Sequence, residues 1–173
     1  MTTTTFNSLH ITPYNENNLK LCLRYAEKFG AGPQNLLLWG NHGTGKTAAA
    51  EAIATHLIAR QTSVVMTIFA NLLETAHDAV FADEVNTADL LIIDDLKPAE
   101  STAGGLEVIY AILEYRTVNA LPMILITALT PYQLRDVCAD LFSRVLPGCY
   151  QMQFTGHDWR IPVRSSQNAA DAV

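Results

Sequence analysis

The chain has 173 residues, of which 49% are hydrophobic and 16% are charged, and its formal net charge is −6. This length and hydrophobic content suit one compact domain with a buried core. The negative charge excludes a protein whose whole surface binds nucleic acid, because such proteins carry an excess of basic residues. Any contact with DNA is therefore expected to be local.

The charge is unevenly spread along the chain. Residues 61–115 contain one cation, Lys97, against ten carboxylates, whereas residues 1–60 and 116–173 each have a small positive balance. Binding to a nucleic-acid backbone depends on cations that neutralise phosphates. The middle third is therefore a poor candidate for that role.

The cysteine pattern and the first residues bear on cellular location. The three cysteines show neither a CxxC motif nor Cys/His spacing, so they are interpreted as reduced thiols. The N-terminus lacks the basic start and apolar centre of a signal peptide, and no apolar run approaches the about 18 residues of a membrane span. These features predict a cytoplasmic protein with no membrane partner.

The first elements in chain order are a helix, a strand and a second helix. Residues 17–29, NNLKLCLRYAEKF, place Leu19, Leu23 and Ala26 on one helical face. The run NLLLW, residues 35–39, is typical of a buried parallel strand. A helix follows over residues 46–60, with apolar positions at helical spacing: Ala49, Ala50, Ile53, Ala54 and Leu57.

The acidic middle predicts two more strands with a helix between them. Residues 63–69, SVVMTIF, and residues 89–96, DLLIIDDL, have the apolar character of strands. The helix is predicted over residues 70–85, with four side chains directed inward: Leu72, Leu73, Ala76 and Val80.

The last third continues the same alternation. The expected elements are a helix over residues 101–119, a strand over 122–127, a helix over 130–146 and a strand over 149–154. Ser101 or Thr102 would begin the first of these helices, and Gly104 and Gly105 weaken its first turn. Strands that alternate with helices predict an α/β protein with a central five-stranded parallel sheet and helices on both faces.

The octet GNHGTGKT, residues 40–47, matches the phosphate-binding pattern G-x-x-x-x-G-K-[ST] and lies between a predicted strand and a predicted helix. Small residues let backbone N–H groups approach phosphate oxygens at the positive end of a helix. Lys46 would contact the β- and γ-phosphates, and Thr47 would offer its hydroxyl to Mg²⁺. The predicted nucleotide-binding residues are Gly40, Asn41, His42, Gly43, Thr44, Gly45, Lys46, Thr47 and Ala48. The alternative is a glycine-rich turn that binds nothing.

Two carboxylates end the third predicted strand, in LLIIDDL, residues 90–96. Asp94 would lie at the carboxyl edge of the sheet, where α/β proteins bind ligands, and could hold Mg²⁺. Asp95 could polarise an attacking water. Alternatively, both residues merely cap the end of a strand.

With these motifs, and with LPMILITALTPYQL, FSRV and FTGHDWR further on, the chain resembles the AAA+ ATPase module of bacterial replicative-helicase loaders of the DnaC type and of transposition helper ATPases. The resemblance covers most of residues 6–164. It implies a P-loop NTPase fold, ATP and Mg²⁺ as ligands, and a homo-oligomer assembled head to tail as a ring or filament. It also implies a replicative helicase or another replication protein as partner, and single-stranded DNA as a further ligand.

Two arginines take possible roles from the same resemblance. Arg144, in FSRV, corresponds to an arginine finger, which reaches the γ-phosphate bound by a neighbouring subunit. A surface arginine without that role remains the alternative. Arg160 corresponds to a terminal arginine that faces nucleotide or pairs with Asp158.

The chain also departs from the loader pattern. Ala128 stands where loaders carry an asparagine that orients the attacking water, so we expect slow hydrolysis with ATP binding retained. Thr127 beside it could replace that asparagine weakly through its hydroxyl, but its expected role is to satisfy backbone groups at the strand end. Residues 66–89 contain no Lys or Arg, which weakens the expectation of single-strand binding through phosphates.

The domain is expected to be nearly alone. We predict one AAA+ domain over residues 1–164, with residues 1–35 as an N-terminal lead and helix, and residues 165–173 as a flexible tail. The short segments on either side of the five strands suggest no additional helicase-gripping domain and a minimal or absent helical lid.

Three functions remain open from the sequence. The first is a slow ATPase that acts as a helicase loader or loader-like accessory in DNA replication, with Lys46, Asp95 and Arg144 as catalytic residues and Thr47 and Asp94 as Mg²⁺ ligands. The second is an ATP-binding interaction module with little or no turnover that regulates another ATPase. The third is a small-molecule P-loop kinase, although no arginine-rich lid or acceptor site is recognisable.

Overall fold

The computed structural model describes residues 3–31, 35–75, 78–98, 103–137, 139 and 145–159. Within these residues, no helix has both the length and the apolar character that crossing a membrane requires.

The described residues form one sheet with helices around it. Its strands are β1 (Asn35–Trp39), β2 (Val64–Ile68), β3 (Leu90–Asp94), β4 (Met123–Thr127) and β5 (Cys149–Gln153). The α-helices of the described residues are α1 (Glu16–Glu27), α2 (Lys46–Ile58), α3 (Phe69–Glu74), α4 (Ala79–Thr87), α5 (Ala103–Val118) and α6 (Pro131–Val137). Short 3₁₀ turns span Phe6–Ser8 and Leu146–Gly148.

The strands lie in the order β2-β3-β4-β1-β5, and every neighbouring pair is parallel. The strand β4 therefore separates β1 from β3. In the register, Trp39 at the end of β1 lies opposite Thr127, and Ile93 in β3 lies opposite Leu125. The carboxyl ends of these three strands thus meet at one edge, and the predicted five-stranded parallel sheet is confirmed.

Helices cover both faces of the sheet, as predicted. Because side chains alternate along a strand, Leu36 and Leu38 of β1 pack in one core with α1 and α2. Leu37 faces the opposite core, to which α5 and α6 contribute buried residues. The sheet is therefore the middle of three layers.

The helices α1 and α2 bury most of the residues that the sequence placed inward. Leu19 and Ala26 of α1 are buried, whereas Leu23 is half-buried, and Cys22 and Tyr25 complete the face. The predicted inward residues of α2 are all buried: Ala49, Ala50, Ile53, Ala54 and Leu57.

The single helix predicted over residues 70–85 is wrong. The structure has two short helices, α3 and α4, and the second begins after Asp78, whose carboxylate accepts hydrogen bonds from the backbone N–H of Val80 at 2.9 Å and of Phe81 at 3.4 Å. This new start changes which residues face the core. Val80, predicted inward, is 70% exposed, whereas Leu72 is buried and Leu73 is half-buried. Ala76 lies outside the described residues.

A buried arginine fixes the end of α4 against the sheet. The side chain of Arg116 in α5 is fully buried, and its guanidinium donates to the carbonyls of Val85 at 2.7 Å, Ala88 at 2.9 Å and Pro122 at 2.8 Å. Burial lowers the pKa of Arg116 to about 10, so the guanidinium stays charged at neutral pH. Nothing in the local sequence pattern pointed to this role.

Several expectations fall on parts of the chain outside the described residues. They are the start of the helix at Ser101 or Thr102, the positions of Arg144 and Arg160, and the tail 165–173. The helix predicted over residues 130–146 is described as α6 up to Val137. The domain limits and the lid remain predictions.

Candidate functional site

The phosphate loop joins β1 to α2, the arrangement expected from its sequence. Gly45 directly precedes the helix with a φ of 94°, in the left-handed region that residues with a Cβ rarely adopt. The chain then enters α2 at Lys46, so the first backbone N–H groups of the helix face the loop. Such a helix start favours an anion.

The ammonium of Lys46 is held beneath the loop. Lys46 is 8% exposed, and its Nζ donates to the carbonyls of Gly40 and Asn41, each at 2.6 Å. The Thr44 hydroxyl also donates to the Asn41 carbonyl, at 2.8 Å. The loop is therefore closed around a fixed positive charge, which suits it to a phosphate ligand.

Two loop glycines lie against other parts of the protein, Gly40 against backbone and Gly43 against a side chain. A Cβ on Gly40 would overlap the backbone carbonyl of Phe154, and a Cβ on Gly43 would overlap the carboxylate of Asp158. The backbone N–H of Trp159 donates to the Gly43 carbonyl at 3.2 Å. The segment that follows β5 thus packs directly on the phosphate loop. From the sequence, these glycines were explained only by the close approach of backbone N–H groups to phosphate oxygens.

The two predicted Mg²⁺ ligands meet although they come from different elements. The Thr47 hydroxyl, in the first turn of α2, donates to Asp94 Oδ2 at 2.8 Å. Asp94 ends β3, which lies two strands away from β1, and its Oδ1 accepts from the Asp95 N–H at 2.7 Å. A hydroxyl and a carboxylate side by side are the hard oxygen donors that Mg²⁺ prefers. The donor set therefore fits this ion.

Asp95 follows Asp94 in an unusual backbone conformation. Its φ is 52°, in the left-handed region, and its side chain is about half exposed. Lys97 Nζ lies 2.9 Å from Asp95 Oδ2 and forms an ion pair with it. Lys97 was not predicted as a site residue. Its position as the lone cation of the acidic third, two residues after the acidic pair, was the available signal.

At the end of β4, Thr127 satisfies backbone groups, in line with the interpretation from sequence. Its side chain is buried, and its hydroxyl donates to the Leu96 carbonyl at 2.7 Å and accepts from the Leu129 N–H at 3.1 Å. Ala128 lines the cleft beside it. Its methyl group has no atom that can orient a water molecule by hydrogen bonding.

A cleft of about 530 Å³ brings most of the predicted site residues together. The lining residues are His42, Gly43, Thr44, Gly45, Lys46, Thr47, Ala48, Asp94, Asp95, Lys97, Ile126, Thr127 and Ala128. Gly40 and Asn41 instead contribute the carbonyls that hold Lys46. This volume lies in the range of small-molecule sites. The predicted arginine finger, Arg144, lies outside the described residues.

A family model of the bacterial DnaA ATPase domain matches residues 1–151. The chain belongs to the bacterial DnaA ATPase domain family. The matched residues include the phosphate loop, the two acidic residues and all five strands except the last two residues of β5.

Solved structures share the fold of this DnaA-family chain. AMPPCP-bound DnaA from Aquifex aeolicus is 18% identical with a TM-score of 0.78, and the match covers 89% of this chain and 50% of that one. The DnaC helicase loader is 18% identical with a TM-score of 0.76, and the match covers 88% of this chain and 97% of that one. DnaI is 22% identical with a TM-score of 0.74, and the coverage is 90% and 89%.

These likenesses confirm the AAA+ fold and the predicted resemblance to helicase-loader modules. The family model is that of the replication initiator DnaA, whereas the sequence motifs suggested the loaders first. The chain spans about half the length of the DnaA structure from Aquifex aeolicus. No curated protein matches it by sequence.

Proposed function

We propose that the chain binds ATP with Mg²⁺ and hydrolyses it slowly, as an ATPase of DNA replication. The observation that carries the proposal is the hydrogen bond of 2.8 Å between Thr47 and Asp94 beside the buried ammonium of Lys46. It places a hydroxyl, a carboxylate and a cation around one helix start. A solved DnaA of the same fold holds the ATP analogue AMPPCP, which supports a nucleotide as the ligand.

Each residue has a distinct part in the proposed reaction. Lys46 and the N–H groups at the start of α2 bind and orient the phosphates. Thr47 and Asp94 hold Mg²⁺, which supplies charge neutralisation at the phosphate oxygens. Asp95 orients the attacking water and accepts its hydrogen bond. No polar side chain at position 128 helps Asp95 to orient this water, because Ala128 has only a methyl group. We attribute the slow turnover to this difference.

The test is the affinity for a fluorescent ATP analogue with Mg²⁺, measured on purified protein. Removing a charge-assisted hydrogen bond to phosphate in Lys46→Ala should weaken binding by about tenfold to a hundredfold. Lys20→Gln is the matched control, because it removes an exposed lysine of α1 whose ion pair with Glu16 is distant in sequence from the cleft. Wild-type protein that shows no Mg²⁺-dependent binding would disprove the proposal.

The proposal includes head-to-tail oligomers in which Arg144 of one subunit completes the site of the next. A mixing experiment tests it directly. Arg144→Ala and Asp95→Asn should each be inactive alone, whereas a mixture should recover part of the activity, since the intact Arg144 of one variant reaches the intact Asp95 of the other. A mixture as inactive as its components would argue against a finger in trans.

The role in replication is proposed to be that of a helicase loader or a loader-like accessory. The fold shared with a DnaC helicase loader over 97% of that chain supports it. The measurement is loading of a replicative helicase onto a single-stranded circle with wild-type protein and Lys46→Ala. Equal loading with and without the wild-type protein would contradict this role.

Single-stranded DNA is proposed to be at most a weak ligand of this chain. One solved DnaA carries AMPPCP and single-stranded DNA together. In this chain, however, the segment from β2 to β3 is acidic, and its residues 66–89 contain no Lys or Arg. Fluorescence anisotropy with a labelled oligonucleotide should therefore show little binding at physiological salt.

A second candidate is an ATP-binding module that regulates another ATPase without turnover of its own. Ala128 in the cleft favours it, as does the Thr127 hydroxyl, whose one proton is already donated to the Leu96 carbonyl. Tight Mg²⁺·ATP binding with no hydrolysis, whether DNA and a helicase are present or absent, would support this candidate. Hydrolysis that increases in Ala128→Asn would instead favour the slow ATPase.

A further inference from the structure

The segment that follows the acidic pair is hydrogen-bonded to the sheet. Asp95, directly after β3, adopts a φ of 52°, in the left-handed region. The next residue, Leu96, is buried and makes two hydrogen bonds to β4. Its N–H donates to the Ile126 carbonyl at 2.8 Å, and its carbonyl accepts from the Thr127 hydroxyl at 2.7 Å. The residue after it, Lys97, forms an ion pair with Asp95.

The resulting contact is an ion pair inside the candidate ATP cleft. Lys97 Nζ lies 2.9 Å from Asp95 Oδ2, with 36% of the lysine side chain and 50% of the aspartate side chain exposed. Both residues line the cleft, which also contains Lys46 and Asp94. Lys97 is the sole cation of residues 61–115. The acidic third of the chain thus places its one positive charge on the carboxylate proposed to orient water.

We propose that Lys97 is a positioning residue that holds the Asp95 carboxylate in this ion pair and thereby slows ATP hydrolysis by the protein. The proposal rests on the proposed function, in which Asp95 orients the attacking water. An ammonium on Oδ2 competes with water for that oxygen and makes the carboxylate a weaker hydrogen-bond acceptor. In this proposal Lys97 acts through Asp95, and no direct contact with the phosphates is required of it.

The restraint is partial, because an ion pair with this degree of exposure stabilises only weakly. Water screens the two charges, and both side chains lose conformational freedom when they pair. Releasing Asp95 should therefore raise the rate of hydrolysis by about two- to fivefold. Such a weak pair can also be opened by a competing charge, including a cation or anion that a neighbouring subunit brings to the cleft.

The kinetic test compares single-turnover hydrolysis and Mg²⁺·ATP affinity in wild-type protein and variants. Lys97→Gln should hydrolyse ATP about two- to fivefold faster at unchanged affinity. Lys97→Arg, which keeps a cation beside Asp95, should retain the slow wild-type rate. Lys97→Gln combined with Asp95→Asn should be as slow as Asp95→Asn alone. Lys20→Gln, which breaks an exposed ion pair of 2.7 Å on α1, is the matched control and should change neither quantity.

A second readout needs neither nucleotide nor activity. In ¹H–¹⁵N NMR spectra of lysine ammonium groups, the signal that disappears in Lys97→Gln should shift in Asp95→Asn. The signal that disappears in Lys20→Gln should stay in place. These spectra report the ion pair itself in the folded protein.

The outcomes separate this proposal from the proposed function. If wild-type protein fails to bind Mg²⁺·ATP, the proposed function fails and this proposal fails with it. If wild-type protein binds and hydrolyses Mg²⁺·ATP but Lys97→Gln is no faster, this proposal alone is overturned. If Mg²⁺·ATP binds and neither protein turns over, the slow-ATPase function is overturned together with this proposal. This proposal is also overturned if Lys97→Gln weakens affinity in the Asp95→Asn background, because Lys97 would then contact the phosphates directly. An unshifted ammonium signal in Asp95→Asn has the same consequence.

Discussion

The phosphate-loop region, residues 35–58, and the acidic region between β2 and β3, residues 69–87, are fixed in the molecule by different means. The first has a central strand and a long helix, α2, whose apolar face is buried along its length. The second consists of two short helices, and its end is held by the guanidinium of Arg116. The site is therefore built on a packed strand and a long helix, whereas the acidic region combines a smaller apolar contact with a few polar ones.

This difference indicates which region can vary without loss of the site. Packed apolar faces distribute their stabilisation over many contacts. The acidic region buries Phe69, Leu72 and Val85 in the core and adds the hydrogen bonds of Arg116 and Asp78. Exposed side chains such as Val80 and Asp83 are then available for contact with other molecules.

Arg116→Met should cause the largest loss of stability, because it removes the hydrogen bonds that hold the end of α4 beside the sheet. It removes the donors to the carbonyls of Val85, Ala88 and Pro122 in a buried place, which costs about 3 kcal/mol or more. Urea unfolding measures the loss. Arg24→Met, at an exposed position of α1, is the control and should stay within about 0.5 kcal/mol of wild type. Similar stabilities of the two variants would refute the assigned role of Arg116.

Gly43→Ala should cause the next largest loss of stability, and it tests the conformation and packing of the phosphate loop. The φ of 71° disfavours any Cβ, and that Cβ would also overlap the Asp158 carboxylate, so the expected loss is about 2 kcal/mol. The melting temperature and the affinity for Mg²⁺·ATP should both decrease. Adding Asp158→Ala should recover part of the stability, because it relieves the overlap and leaves the backbone strain. Full additivity of the two substitutions would show that the segment after β5 does not press on the loop.

Asp78→Ala tests the separate start of α4. Losing the N-cap acceptor for the N–H groups of Val80 and Phe81 should cost about 1 kcal/mol. Asp83→Ala, at an exposed position within the same helix, removes the same charge without a cap and serves as the comparison in chemical denaturation. A single continuous helix through residues 70–85 would instead make the two variants equal.

Gly104→Ala should have the smallest effect, and of opposite sign. A Cβ at this position in the first turn of α5 has no atom within 4 Å, and alanine favours helix over glycine by up to about 1 kcal/mol. The melting temperature should therefore rise slightly. A fall would mean that the glycine meets a neighbour that the open surroundings of its backbone do not suggest.

The elements that sequence patterns predicted well are those whose pattern is local. The strand β1 begins and ends where the run NLLLW does, and α2 begins at Lys46 as predicted. The helix over residues 70–85 failed because Asp78 starts a new helix in which Val80 faces outward, and apolar spacing does not register a cap. The burial of Arg116 was missed because its partners are backbone carbonyls, which leave no trace in side-chain patterns.

The sequence by itself determined the phosphate loop, the acidic pair and the alternation of strands with helices, because glycine conformations, strand runs and helix starts are properties of neighbouring residues. Only the tertiary structure decided that β4 lies between β1 and β3, that Thr47 still reaches Asp94 across it, that Asp158 packs on Gly43, and that Lys97 pairs with Asp95. These contacts depend on which strands pair and how the chain turns after them. Strand pairing is settled by the burial of whole faces, and no local stretch of sequence contains that information.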